Sequence, residues 1–419
     1  MSETKKEYDV FKGLLNGSQV HTLDSQDIVS EIRAQAQTRL GSLSRIYVLH
    51  DGSDIRKPES SDMEYLGKVM SLQKQVINGY KTMNSVGVDM DSKELTLLEH
   101  TTYSTGLPEY VSQENINLVL KNPGYDPNIA QQIANTTYLN NKTVYFQTVL
   151  NSHDTIKRSK TEAQITHIQD REFDGEDYFE YVDDLGDEFI TRLKLSRLSN
   201  QSRPIYTKTG KLSKKIAYDK LIDKVFENSY SYDIARMSLK HKTYVNIQCS
   251  IEWESLIINE RTYSVIKIAL KDETGKAIFQ HPMMLVTNRL VNSAQEAKQV
   301  YQAYLLRFKI EVVFRFLKTN LGWETFQVRN FESIKNLLAF AFFLVGYFKE
   351  LSNEIQNHEI YALIAQIGGS KGTVSTFFLL KGIEKLVHFQ QIQKLLDDNI
   401  ISRDMDDTVV KKRELSDIS

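Results

Sequence analysis

Four residues keep a fixed spacing in the stretch QVYQAYLLRFKIEVVFRFLKTN: Tyr304, Arg307, Glu311 and Lys318. On a helix turning 100° per residue they fall within about 60° of arc, and Arg315 widens that stripe only slightly. Ala303, Leu306, Ile310, Phe314 and Leu317 line the neighbouring apolar face. A carboxylate flanked by cations and a phenol therefore runs beside the side that packs. From this segment alone, an ordinary amphipathic helix with a Glu–Arg pair one turn apart would look the same.

Two more carboxylates follow strand-like runs, Asp51 in YVLHDGSD and Asp170 in THIQDREFD. Open α/β sheets bind ligands beyond the C-terminal ends of their strands. Each Asp alone could equally be a turn residue. Two at equivalent strand ends, with Glu311 as the third, would complete a divalent-metal cage. Asp54 and Lys57 read as shaping the turn after Asp51, and Arg171, Glu172 and Asp174 as the polar start of a helix. His50 points to the opposite strand face from Asp51 and reads as structural.

The elements that must position these groups follow from periodicity and breakers. Residues 24–40 begin with an Asp/Ser cap and carry helical spacing. RIYVLHDG (45–52) reads as a strand that stops at an Asp-Gly turn, and 84–104 as two strands joined by a polar Asp-Ser-Lys turn. Residues 126–150 read as one helix, 164–169 as a strand, 175–185 as a helix and 188–196 as a strand. The stretch 197–282 is β-rich after a basic loop, MMLVT (283–287) is a buried strand, and helices are expected at 293–318 and 332–351. Strands and helices in this order make an α/β core.

Composition excludes several classes. The 419 residues are 41% hydrophobic and 25% charged, with 21 Tyr and 19 Phe, which is globular usage. The single cysteine, Cys249, excludes an intramolecular disulfide and a cysteine-rich zinc site, and fits a reducing cytoplasm. The N-terminus has no apolar signal region, and the apolar run 337–348 is short for a membrane span, so no anchor is expected. The net charge of −2 hides an asymmetry. Ten acids and one base lie between Asp170 and Glu188, and eight bases with no acid between Ile190 and Tyr218. That basic stretch, with Lys208, Lys211, Lys214 and Lys215, is either a solvated loop or a polyphosphate-binding surface.

The spacing Tyr304-x2-Arg307-x3-Glu311-x6-Lys318 resembles the YREK signature of DDE insertion-sequence transposases of the IS-four family. DREFD (170–174) is similar to that family's second-aspartate motif and DGSDI (51–55) to its first. The resemblance covers roughly residues 45–350. It implies a ribonuclease-H-like mixed sheet flanked by helices, with a β-rich insertion domain between the second Asp and the Glu. It implies Asp51, Asp170 and Glu311 as a triad carrying Mg²⁺ or Mn²⁺. It also implies Tyr304, Arg307, Arg315 and Lys318 as contacts to DNA phosphates, with transposon ends and target DNA as partners of a homodimer in the DNA complex. The expected organisation is a short helical segment at 1–44, core at 45–196 and 283–355, insertion at 197–282, and a helical C-terminal region at 356–419. A nucleoid-associated cytoplasmic protein is the matching location.

Two departures stand out. Relatives usually carry a longer N-terminal domain before the first Asp, so this chain is either shortened or recognises element ends elsewhere. Some relatives stack an aromatic residue on a flipped base where this chain has Met283, for which Trp253 is a substitute if it is not core. The rival readings are a decayed transposase that binds DNA without catalysis, and a metal-dependent nuclease of the same fold.

Overall fold

The structure, a computed structural model, describes residues 24–122, 124–160, 162–206, 212–239, 242–258, 260–354, 359–371 and 376–397; for 199–219, 239, 349–360, 376 and 391–397 no side chain is described. The chain divides into two compact units, Met1–Phe343 and Leu344–Ser419.

The first unit opens with helix α1 (Ser25–Leu40), whose N-terminus is capped by the Asp24 carboxylate on the Gln26 N–H. Strands β1 (Arg45–Arg56), β2 (Gly67–Met70), β3 (Val76–Val88) and β4 (Leu95–Tyr103) follow. Helices α2 (Gln113–Lys121), α3 (Pro127–Ala134) and α4 (Asn141–Ser159) lead into β5 (Gln164–Gln169). Helix α5 (Glu176–Asp184) and β6 (Glu188–Arg192) come next, then β7 (Leu198–Tyr206), β8 (Leu212–Lys220), β9 (Asn228–Leu239), β10 (Lys242–Ile258), β11 (Arg261–Lys271) and β12 (Met283–Thr287). Helices α6 (Ala294–Leu305) and α7 (Phe308–Asn320) follow, and α8 (Phe331–Glu354) begins in this unit and ends in the second.

A ten-stranded sheet runs in the order β2-β3-β1-β5-β6-β12-β11-β10-β9, with β4 also on β3; β7 and β8 pair separately. Strands β1, β5 and β6 are parallel neighbours, whereas β1 with β3, β3 with β4, and every pair from β6 outward to β9 are antiparallel. The parallel centre needs cover on both faces. One face packs Ala36, Leu40, Ile46, Val48, Leu98, Ile156 and Ile165. A second cluster joins Val149, Phe179, Phe189, Tyr263, Val265 and Val286. Ile46, Val48 and Leu49 have no exposed surface at all, so each contributes about 1.5–3 kcal/mol by burial.

Three expectations change. Strand β1 does not stop at Asp51-Gly52; it runs on to Arg56, because β3 pairs with it from Tyr47↔Val88 through Arg56↔Gly79. The helix expected over 126–150 is two, α3 and α4, separated at Asn135; the Asn140 side chain starts α4 with a reciprocal cap to Thr143. The helix expected over 293–318 is interrupted at Leu306 and Arg307. The strands β9–β11, within the stretch expected as a β-rich insertion, are hydrogen-bonded to the central sheet through β12. Helix α8 also holds a window, Phe331–Phe348, long and apolar enough to cross a membrane, longer than the run read from sequence; 56% of it is buried in the protein.

In the second unit, α9 (Glu359–Ile367) and α10 (Thr376–Asp397) pack through Ala365 and Leu379. A Cβ on Gly368 would overlap the Phe378 carbonyl, and one on Gly382 the Ile364 carbonyl, so two glycines set this close approach.

Candidate active site

The parallel ladder between β1 and β5 ends at Leu49↔Ile168. Two residues further along each strand come Asp51 and Asp170. Side chains repeat with period two, so both carboxylates leave the same face of the sheet. The two strands then part: β1 continues alongside β3 with Asp51 opposite Asn84, while β5 ends and Asp170 caps a short turn, accepting from the Glu172 N–H at 2.7 Å. Asp51 is thus held within a strand and Asp170 at a strand end.

Glu311 lies in the first turn of α7. Between α6 and α7 the backbone stays right-handed helical, Leu306 at φ −60° and Arg307 at φ −48°. The bonds there tighten: Arg307 N–H reaches the Tyr304 carbonyl at 3.0 Å and Ile310 N–H the Arg307 carbonyl at 3.2 Å, each three residues back. A 3₁₀-type link turns the chain more per residue than an α-helix, so the four residues do not share one uninterrupted helical stripe.

Arg307 occupies the middle of the site. Its Nη1 donates to Asp51 Oδ2 at 3.2 Å and its Nη2 to Glu311 Oε1 at 2.6 Å. The residue is 8% exposed, and its Nε is buried without a partner. Tyr304 is buried beside it, its phenol pushed above the usual range by burial, an effect that the charges of Arg307 and Arg192 oppose. Burial raises the Asp51 carboxyl to about 7; Arg307 pulls it down, while Asp170, Glu311 and Glu172 push it up. The three acids therefore share one electrostatic neighbourhood that calls for positive charge.

The donor set, all carboxylate oxygen, suits a hard divalent ion. Its arrangement here does not: among the described residues no group of three or more His, Cys, Asp or Glu is placed to hold a metal ion. The guanidinium on Asp51 and Glu311 stands between the expected ligands.

Lys318, one of the expected phosphate contacts, is engaged within the protein. Its ammonium donates to the Asp54 carbonyl at 2.8 Å and to Glu324 Oε1 at 3.1 Å, and burial lowers its pKa. Glu324 also takes Arg56 Nη1 at 3.3 Å. Lys57 is buried and donates to the carbonyls of Glu324 and Phe326, tying the end of β1 to the loop after α7; burial lowers it to about 8. Arg315 is exposed. Lys208 and Lys211 lie outside the described residues, and Lys214 and Lys215 fall on β8, where only the backbone is described. Part of the basic stretch is neutralised by the acidic run: Arg197 binds Asp174 at 2.7 Å and Glu176 at 2.9 Å. Trp253 is buried on β10, and Met283 is half-buried at the start of β12.

Sequence reasoning missed a buried polar chain behind the two aspartates. His50 Nδ1 lies 2.7 Å from Ser85 Oγ and its Nε2 2.8 Å from His167 Nδ1. His167 Nε2 is 2.9 Å and His153 Nδ1 2.7 Å from Asp187 Oδ2. Since a carboxylate only accepts, neutral rings order the chain in one direction: Ser85 donates to His50, His50 to His167, and His167 to Asp187. Burial, then the neighbouring His167, holds His50 well below the usual range. The alternation of THIQD placed His167 on the face of His50, but nothing in sequence joined either to Asp187.

A cleft of about 450 Å³ opens beside Glu172, lined by Lys81, Lys142, Lys194, Asn141 and Tyr145. Tyr145 donates its hydroxyl to Glu172, two residues past Asp170, at 3.1 Å.

No curated protein matches the chain. The model of the transposase DDE domain matches residues 126–345, just over half of its length. The match takes in Asp170 and the whole run from Tyr304 to Lys318 but begins beyond Asp51, whose membership in the site rests on the shared sheet face and on Arg307. Such transposases act on DNA and are generally dependent on divalent metal ions. The strand-borne acid, the helix-borne glutamate and the arginine between them lie on a chain that belongs to the transposase DDE-domain family.

Proposed function

We propose that this chain is an insertion-sequence transposase of the YREK type that cuts and joins DNA at element ends, with Asp51, Asp170 and Glu311 as its catalytic acids. The observation that carries the reading is the convergence of the strand aspartate Asp51 with the helix glutamate Glu311 on one guanidinium, with the charge of Asp170 felt at Asp51. The antiparallel β4-β3-β1 group joined to parallel β1-β5-β6, with the acids where β1 and β5 part, supports a ribonuclease-H-like core. Mg²⁺ or Mn²⁺ is the cofactor this reading requires; paired ions of that kind favour both attack and departure of oxygen at phosphorus. Tyr304, Arg307, Arg315 and Lys318, with Lys208, Lys211, Lys214 and Lys215, are the proposed contacts to the DNA backbone. The protein acts as a homodimer on DNA in the cytoplasm. The test is to assay Asp51→Asn, Asp170→Asn and Glu311→Gln on DNA carrying the element's ends. Each should lose at least about a thousandfold in Mg²⁺-dependent cleavage, or ~4 kcal/mol of transition-state stabilisation, with circular dichroism unchanged. Cleavage near the wild-type rate in any of the three overturns that residue's assignment.

A further inference from the structure

We infer that the buried His50–His167 pair is a positioning device for the two aspartates: it fixes the separation of β1 and β5 where their backbone ladder stops, and so holds Asp51 and Asp170 beside each other. Its meaning for chemistry rests on the assignment of those aspartates as catalytic acids; the positioning itself does not.

Backbone pairing of β1 with β5 runs from Arg45↔Gln164 to Leu49↔Ile168 and then stops. Beyond it each strand follows a different neighbour: β1 stays with β3 as far as Arg56, and β5 stays with β6 as far as Gln169↔Thr191. The ladder therefore does not set the gap between the two acids. His50 and His167 bridge that gap from the opposite face of the sheet. Their ring nitrogens, Nε2 and Nδ1, are 2.8 Å apart, and the rings stack at 25° with centroids 5.0 Å apart. Alternation turns His50 away from Asp51 and His167 away from Asp170. Neither histidine has exposed surface, so the pair acts only through the strands that carry the acids. A hydrogen bond suits this role because it weakens steeply with distance and misalignment. A satisfied buried polar line thus specifies a separation that apolar packing would leave looser. Both ends are anchored, His50 by Ser85 of β3 at 2.7 Å and His167 by Asp187, just before β6, at 2.9 Å. The Thr191 hydroxyl on Gln169, at 3.0 Å, ties β5 to β6 and leaves β1 to the histidines.

The experiment is a double-mutant cycle of Asp51→Asn and Asp170→Asn, read by urea unfolding of the full chain in EDTA at about pH 9, where Asp51 is ionised. The charge of Asp170 raises the Asp51 carboxyl, so in wild type the two substitutions should be coupled by about fivefold in the unfolding equilibrium constant, ~1 kcal/mol. His50→Leu keeps much of the volume and removes the bridge, and coupling in that background should fall below about twofold. His50→Gln, which can still donate to His167, should restore most of the coupling and tests the proposal even if the Leu variant folds poorly. Ser85→Ala removes the outer anchor alone; it should lower stability and leave the coupling near that of wild type. Coupling that is absent in wild type, or unchanged in His50→Leu while stability drops, overturns the positioning and leaves the acid assignment standing. If coupling shrinks in His50→Leu while Asp51→Asn cleaves element-end DNA at the wild-type rate, the positioning stands and the catalytic assignment falls.

Discussion

Asp51 on β1 and Asp170 just past the end of β5 each lie two residues beyond the last paired position of the two strands, Leu49↔Ile168. Like charges side by side on one sheet face destabilise it. Asp170→Asn removes one charge while keeping a side chain that caps equally well, so it should raise stability by about 0.5–1 kcal/mol in EDTA, read as a higher Tm. A lower Tm would mean that Asp170 points away from Asp51.

Glu324 restrains two cations near the proposed DNA path, Arg56 at 3.3 Å and Lys318 at 3.1 Å. Glu324→Gln removes that restraint and one negative charge. Affinity for duplex DNA should rise about three-fold, and the log–log salt dependence should steepen by ~0.9 for each further phosphate that a released cation neutralises. Filter binding over a range of salt concentrations measures both. If affinity falls, Lys318 serves to brace α7 against β1 and does not meet DNA.

Asp187 is the acceptor at the end of the histidine chain. Burial alone would raise its carboxyl, but the donors His153 and His167 outweigh it and bring it down to about 2 from 3.8. A depressed carboxyl contributes stability that is complete above its unfolded value and is lost as pH falls through the folded one. Asp187→Asn should therefore cost about 2 kcal/mol at pH 7. That deficit should shrink between about pH 4 and pH 2, in urea melts of both proteins. A deficit constant with pH would place the cost in packing and not in charge.

The acid-and-base spacing on α6 and α7 was legible because helical partners lie three to four residues apart, and the Arg307–Glu311 pair is such a contact. Asp51, the other partner of Arg307, is 256 residues away in sequence, and no periodicity encodes that distance. For the same reason Asp51 looked like the end of a strand: the Asp-Gly pair is a turn signal, but ten paired positions of β3 override it. The strands of 197–282 were visible as strands, yet their joining the central sheet depends on β12 meeting β6 at Leu285↔Arg192, Val286↔Thr191 and Thr287↔Ile190. Helix α4 was misjoined to α3 because the cap at Asn140 is an amide on the backbone, weaker as a sequence signal than the Ser/Thr-to-Glu pattern that marks α6 at Ser293 and Glu296.

The two-residue link at Leu306 and Arg307 also dictates where this chain tolerates changes of length. Glu311 sits four residues past Arg307 on a helix, so one residue inserted or deleted between them would swing the carboxylate by about 100° and carry it off the sheet face. The path from Tyr103 to Gln164, which holds three helices, ends on a strand whose register with β1 is set by side-chain alternation and not by the connection. Insertions, tags or labels therefore belong in the loops of that path, and a family alignment should show gaps there while the step from Tyr304 to Glu311 keeps a constant count.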